Sequence, residues 1–521
     1  MAEKYFHFGD EYLTPSLVFS ILNNSIDYGF SKEGLKRIQN SAGILSEIVA
    51  SGETVYGVNT GFGILASEKI SSEDTRILQH KILQSHSVGV GDPVPDDIVK
   101  LMLITKLQSL SLGYSGVQVS TIERILWHLK EEILPVVPEK GSVGASGDLA
   151  PLAHLFLPLI GMGKVKVNGR QEDSLEVLNK YGLAPLTLGP KEGLALINGT
   201  QFILAYGLMG LKRMHNCLDA ADIIGAMSLE SLTGTKAPFR EELHELRAFR
   251  GNVLVAQRLR NLLKDSGIME SHLDCGRVQD PYSLRCMPQV HGASRNSWLH
   301  LKDILTIEMN SVTDNPVILK NGDTISGGNF HGQPLALPID YAAIAAAEIG
   351  NISDRRCYLM LEGKWGLPVL LMNNVGLNSG FMIPQYTTAA LVSENKSLCF
   401  PASADSIPTS LGQEDHVSMG SISSRKFNMI LENLEHILGI ELMTACQAIE
   451  FRRPLKSSSL LENAHDFIRN SVSFADEDRI FARDIQIITG LIKNESFVRN
   501  CRAFESSKGI NMYKDFEDFD L

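Results

Sequence analysis

A chain of 521 residues with 44% hydrophobic and 21% charged content is long enough for two or three domains and has the make-up of an ordinary globular protein. Its formal charge of −12 argues against a nucleic-acid or anionic-membrane partner, either of which favours a basic face. The seven cysteines are odd in number and scattered, with no Cys-x-x-Cys, which reads as reduced thiols in a cytosol rather than a disulfide framework or a zinc site.

The N-terminal run Met1 to His7 lacks the apolar core of a secretory signal. The longest near-apolar stretch, Leu149 to Met162, is too short to span a bilayer and contains His154 and two prolines, so a cytoplasmic protein is expected. Thr14-Pro15 opens a helix as N-cap and first helical residue, with Leu17, Val18, Ile21 and Leu22 following at helical spacing. A second helical pattern runs from about Lys32 to Ile48. Tyr56-Gly57-Val58-Asn59-Thr60-Gly61-Phe62-Gly63 interrupts it with a glycine-rich loop. Helices resume over about Asp74–Ser87, Asp96–Gly113 and Gln118–Ile133. A strand pair is expected at Lys164 to Val167, turning at Asn168-Gly169, the only convincing strand material in the chain.

From Thr200 long helical patterns dominate, at about Gln201–Leu232, Ser294–Val312, Leu337–Glu362 and His416–Phe451. In the last, Phe427, Ile430, Leu431, Leu434, Leu438, Leu442, Ala445 and Ile449 form one apolar stripe. The small residues of Tyr341 to Ile349 suit a helix packed closely on several sides, and the acidic end from Ser506 to Leu521 reads as frayed. The expected architecture is therefore mainly α, with a smaller mixed N-terminal region over 1–200 and a long-helix bundle with C-terminal helices over 201–521.

Gly141-Ser142-Val143-Gly144-Ala145-Ser146-Gly147-Asp148-Leu149-Ala150-Pro151 lies between the N-terminal helices and the strand pair. Six of its first seven residues are Gly, Ala or Ser, so its backbone can turn tightly, and Asp148 is an N-cap candidate for the helix that follows. Alone it reads as a turn. Ala145-Ser146-Gly147 also has a chemical option. The Gly147 amide nitrogen can attack the Ala145 carbonyl carbon, and loss of water from that ring and from the Ser146 side chain leaves an imidazolone with an exocyclic methylene, an electrophile made from the chain. Glycine presents the least hindered nitrogen, and serine carries the leaving group.

Nucleotide-binding glycine motifs are absent, as is His-Glu-x-x-His, and the spacings of His86, His291, His331 and His416 match no known metal pattern. Polar clusters remain at loops and helix ends. They are the Tyr56 loop, Ser85 to Gly91, Leu196 to Gln201, Gln279 to Cys286, Thr313 to Pro316, Ser326 to Gly332, and Gln413 to His416. Each alone is a plausible turn or cap.

Taken together, Tyr-Gly-Val-Asn-Thr-Gly-Phe-Gly from Tyr56, Gly-Ser-Val-Gly-Ala-Ser-Gly-Asp-Leu-Ala-Pro-Leu-Ala from Gly141 and Gln-Asp-Pro-Tyr-Ser-Leu-Arg-Cys from Gln279 resemble the aromatic amino-acid ammonia-lyase family. The resemblance spans nearly the whole chain. It implies an aspartase/fumarase-like helical core and a methylidene-imidazolone formed from Ala145-Ser146-Gly147, with no metal or external cofactor. It also implies a homotetramer whose sites draw on more than one chain, acting on a small molecule.

Residue by residue, Tyr56 matches the general base for the β-proton. A phenol of pKa near 10 needs roughly 4 kcal/mol of stabilisation of its anion to serve at neutral pH. Asn198 matches the residue that hydrogen-bonds the imidazolone oxygen, and Arg285 the clamp on the substrate carboxylate, a role suited to its two-pronged guanidinium. Asn315 assists it, and Gln279 and Tyr282 line the same end, Tyr282 counted with the catalytic residues. Phe330 walls the pocket, and His86, Met382 and Glu414 face the substrate ring.

His86 and Glu414 point to the histidine branch, because a buried imidazole left without partners costs roughly 1–3 kcal/mol per unsatisfied group. The implied reaction is elimination of ammonia from L-histidine to trans-urocanate, the first step of histidine degradation. Tyrosine or phenylalanine elimination, an aromatic aminomutase, or a relative without catalysis remain as alternatives. Met287 and His291 depart from the branch's usual residues and bear on substrate preference if they face inward.

Overall fold

The structure, a computed structural model, describes residues 5–51, 55, 57, 60, 72–273 and 276–521. Thr14 opens the first helix, Pro15–Leu22, as its sequence implies: its hydroxyl accepts from the Leu17 amide at 3.3 Å, with Pro15 in the first turn. Helices Lys32–Ser51, Ser72–His86, Asp96–Ser111 and Val119–Lys130 follow close to where periodicity places them. The long helices are Gln201–Ser231, Met287–Met309, Gln333–Leu361 and Gly420–Glu450. The second starts earlier than its apolar pattern suggested, with Pro288 accommodated in its first turn.

The chain packs as two compact units. One comprises residues 1–209, 302–340 and 401–425, the other 210–301, 341–400 and 426–521, so the division falls inside all four long helices.

The first unit holds the short strands. Lys164–Val167 pairs with Arg170–Asp173 across the expected turn, where Asn168 and Gly169 both have positive φ, and Leu134–Pro135 extends this sheet. Three further pairs escaped the sequence: Tyr5–His7 with Asp27–Gly29, Val90–Pro93 with Pro138–Lys140, and Val317–Ile318 with Thr324–Ile325. Strands of two to four residues are too short to show an alternation. The Asp96–Ser111 helix is buried on nearly every face, including its polar Lys106, Gln108 and Ser109.

In the second unit the predicted stripe from Phe427 to Ile449 is wholly buried. The helix around Tyr341 to Ile349 is packed on several sides but leaves Tyr341, Ile344 and Glu348, one helical face, exposed. Five helices here had no bounds assigned from the sequence, although C-terminal helices were expected: Arg250–Leu262, Met382–Leu398, Ser459–Arg469, Phe481–Lys493 and Ser496–Ser507. Arg295 binds Asp219 at 2.9 Å and Asp222 at 2.6 Å, and Arg258 binds Asp222 at 2.9 Å, all buried and so tolerable only as mutual partners.

Tyr513 donates to Asp219, and Phe519 is fully buried. The C-terminal segment is therefore anchored rather than frayed, because two aromatics in its acidic sequence supply the hold. Met287 and His291 are both buried inside this unit, His291 with Nδ1 2.8 Å from Asp222.

The Gln333–Leu361 helix is long and apolar enough to cross a membrane, although no unbroken apolar run marks it in the sequence. Its apolar window is 72% buried within the fold, as befits a core helix.

Candidate active site

The Gly141 to Pro151 loop is held from two sides within the first unit. Gly144 and Gly147 have φ of 72° and 74°, a backbone state that costs other residues roughly 1–2 kcal/mol. Gly147 forms a parallel bridge with Gly199, and the Asp148 amide donates to the Gly199 carbonyl at 2.7 Å. A Cβ on Gly147 would lie 2.0 Å from the Gly199 oxygen, so no other residue fits without moving backbone. On the other side the Met419 amide donates to Val143 at 2.9 Å and the Ser421 hydroxyl to Ser142 at 2.6 Å.

Asp148 starts the Leu149–Phe156 helix, yet its side chain does not cap it. The carboxylate instead accepts from the amides of Phe202 and Ile203, both at 3.0 Å, and so caps the Gln201–Ser231 helix. The sequence could name a capping residue but not which helix start it would meet. Burial pushes this carboxyl up to about 7, against the pull of the two amides.

A folded-state value above the unfolded one means that folding takes up a proton. This group's contribution is then most favourable below the unfolded value near 4 and is lost as pH rises through about 7. Asp148→Asn retains an acceptor for the amides but cannot ionise. Thermal unfolding is expected to show the variant gaining on wild type as pH rises from about 5 to about 8. A melting-temperature difference independent of pH would contradict this.

Two predicted residues, Asn198 and Glu414, meet at Ser146. Asn198, at the C-terminal end of the Glu192–Ile197 helix, donates from Nδ2 to the Ser146 carbonyl at 3.0 Å. The Ser146 hydroxyl donates to Glu414 Oε1 at 3.2 Å. Glu414 Oε2 accepts from the hydroxyls of Thr409 at 2.9 Å and Ser410 at 2.7 Å, which orient the carboxylate.

A cavity of about 200 Å³ is lined by Ser85, His86, Ala145 and Gly147 among others. His86 closes the Ser72–His86 helix with Nδ1 3.0 Å from the Ser85 hydroxyl. Burial lowers its pKa, opposed by the Ile82 carbonyl and by the negative charge of Glu414. The imidazole is thus neutral near pH 7 and can both donate and accept.

Behind Asn198 lies a cluster that the sequence did not single out. The fully buried Lys106 donates to the Asn198 carbonyl at 2.7 Å. Burial brings its pKa down to about 7, with Lys191 adding to the effect and Asp314 and Asp148 opposing it. Lys191 is itself buried and paired with Asp314 at 2.5 Å. The only signal for Lys106 is a lone cation in the apolar run Leu101 to Leu112.

Asn315 is buried in this same unit, and its Oδ1 accepts from the Gly327 amide at 2.7 Å. Phe330 is half-buried there. Gln279, Tyr282, Arg285 and Met382 belong to the second unit. There Gln279 is exposed, and the Arg285 guanidinium lies 4.5 Å from the Tyr282 ring while its Nε donates to the Asp280 carbonyl at 3.0 Å. Met382 is half-buried at the start of the Met382–Leu398 helix. Tyr56 lies outside the described residues. Among the described residues no three His, Cys, Asp or Glu are grouped to hold a metal ion, and the His331 and His416 rings stack on each other instead, 5.8 Å apart.

The model of the aromatic amino acid lyases matches residues 13–470. The chain belongs to the aromatic amino acid lyase family. It is 47% identical to the histidine ammonia-lyase of Idiomarina loihiensis over 89% of this chain and 91% of that one. The crystal structure of histidine ammonia-lyase from Trypanosoma cruzi is similar with a TM-score of 0.89 and 38% identity, covering 99% of this chain and 97% of that one. Tyrosine aminomutase from Streptomyces globisporus is similar with a TM-score of 0.91 and 33% identity, over 96% and 98% of the two chains. As an aromatic amino acid lyase the chain is a carbon–nitrogen lyase, and its mainly α, aspartase/fumarase-like architecture is the one the resemblance implied.

Proposed function

We propose that this chain eliminates ammonia from L-histidine to give trans-urocanate, the first step of histidine degradation, using an electrophile formed from Ala145-Ser146-Gly147. The observation that carries this reading is the Glu414 carboxylate, oriented by two hydroxyls and 3.2 Å from the Ser146 hydroxyl. It stands beside a neutral His86 on the cavity wall. A carboxylate and an imidazole offer the acceptor and donor that a polar ring needs, and each unsatisfied group would otherwise cost roughly 1–3 kcal/mol. The likeness to histidine ammonia-lyases supports the same substrate.

The residues present fit a methylidene-imidazolone. Position 147 admits only glycine, the residue with the unhindered nitrogen, and the Ser146 carbonyl already has an amide donor on it. When formed, that group would supply an electrophile toward the substrate amine, which would make the amine a better leaving group. The remaining work falls to side chains. Asn198 stabilises negative charge gathering at the Ser146 carbonyl oxygen. Tyr56 takes the β-proton. Arg285 grips the carboxylate, assisted by Asn315, with Gln279 and Tyr282 at that end. Phe330 walls the pocket, and Met382 joins His86 and Glu414 against the ring. This reading calls for no metal and no external cofactor.

A homotetramer with shared sites belongs to the same proposal, as does a cytoplasmic location with the cysteines reduced. Val278 and Tyr282, in the segment that carries Arg285, are 96% and 70% exposed, which suits a surface that packs on another copy.

The test is incubation with L-histidine, L-tyrosine and L-phenylalanine in turn, following the ultraviolet band of urocanate and the other products. L-Histidine is expected to turn over fastest, with no β-amino acid formed. Glu414→Gln, which removes the negative charge that acts on His86, is expected to lower kcat on L-histidine by roughly 10²-fold. A preference for L-tyrosine in the wild type would defeat the assignment.

A further inference from the structure

We propose that Lys106 is a positioning residue for the reaction, holding the Asn198 amide on the Ser146 carbonyl oxygen and, in its protonated form, setting a positive charge behind it. The inference rests on the proposed roles of Asn198 and of the Ala145-Ser146-Gly147 electrophile. Lys106 lies on a helix buried on almost every face, and its Nζ is within hydrogen-bonding distance of a carbonyl, at 2.7 Å, rather than of a carboxylate. The neighbouring lysine, Lys191, has Asp314 as its partner, so that carboxylate is already engaged.

A buried ammonium whose hydrogen-bond partner among the described residues is a neutral oxygen is costly, and a neutral side chain of similar volume would fill the helix face as well. What the charge does is local. The carbonyl it binds belongs to the residue whose side chain donates to Ser146 at 3.0 Å, and the next carbonyl, that of Gly199, is fixed by the Asp148 amide. The carbonyl oxygens of Asn198 and Gly199 are thereby both held, which orients the Asn198 side chain toward Ser146. A cation in a water-poor interior also favours negative charge building on an oxygen near it far more than it would in water.

Lys106→Met keeps the volume and removes the charge. Intact-mass measurement is expected to find this variant two waters lighter than its sequence, as the wild type is. Addition of cyanide, a small nucleophile that reacts with a conjugated methylene, is expected to be about tenfold slower by mass gain. Turnover of L-histidine should fall about 10–100-fold with KM changed less than about threefold. In an Asn198→Ala background, Lys106→Met should add less than about twofold to either rate, because the lysine acts through that side chain.

Cyanide addition at the wild-type rate, or independent multiplication of the two effects, overturns the proposal. If Lys106→Met does not fold, Lys106→Gln, which is also neutral, carries the same expectations. A wild-type mass with no water lost overturns the electrophile reading itself, and the role of Lys106 with it.

Discussion

Ser146→Ala is expected to fold as the wild type does, to have the full mass of its sequence, and to lose turnover of L-histidine by on the order of 10³-fold or more. The structural loss is small. Before cyclisation the hydroxyl makes one bond at 3.2 Å to a half-buried carboxylate, worth roughly 0.5–1.5 kcal/mol; cyclisation removes it from the wild type too, and the carboxylate keeps Thr409 and Ser410 as partners. Melting should therefore shift by only a few degrees. The chemical loss is complete, because a methyl group has no leaving group and the methylene cannot form. The amine, a poor leaving group, then departs unaided. Turnover at the wild-type rate would remove the electrophile from the mechanism, and a mass lighter by water would show that another residue supplies it.

The long helices were legible because apolar residues recur over many turns, as one stripe from Phe427 to Ile449 and on nearly every face of Gln201–Ser231, and the Gly141 to Pro151 loop because its composition is unlike its surroundings. Motif resemblance suggested that Asn198 serves the Ser146 carbonyl but placed Glu414 at the substrate ring, and the hydrogen bonds that join Ser146 to these two residues cross 52 and 268 residues of chain. Composition and spacing do not encode such distances. The same reason hid the cap that Asp148 gives the Gln201–Ser231 helix, since a local rule assigns a capping residue to the helix next in sequence. Lys106 was invisible for a different cause. A single lysine in an apolar helix ordinarily reaches solvent along its own stem, and only the three-dimensional packing decides that this one does not. Arg250–Leu262 and the helices after residue 458 are amphipathic, as the buried Leu461, Ala464, His465 and Ile468 of Ser459–Arg469 show, but at 11 to 13 residues their stripes are too short to stand out from the chain around them.

Gly147→Ala is expected to be the most damaging single methyl group in the first unit. At a φ of 74° the alanine meets the left-handed penalty of roughly 1–2 kcal/mol. Its Cβ would also lie 2.0 Å from the oxygen and 2.6 Å from the carbon of Gly199, backbone atoms that cannot swing aside as a side-chain end can. Overpacking of this kind adds roughly 1–3 kcal/mol, for a total of about 2–5. Relief requires parting the Gly147–Gly199 bridge, which moves Asn198 off the Ser146 carbonyl and hinders the nitrogen that must close the ring. Gly169→Ala is the control. Its φ is 78° and no atom stands within 4 Å of the added Cβ, so it carries the backbone penalty alone. Gly169→Ala should melt slightly lower, lose two waters and keep its activity. Gly147→Ala should melt several degrees lower still and retain the unmodified mass. Full loss of two waters in Gly147→Ala would mean that the tight approach to Gly199 is not what shapes the reactive loop.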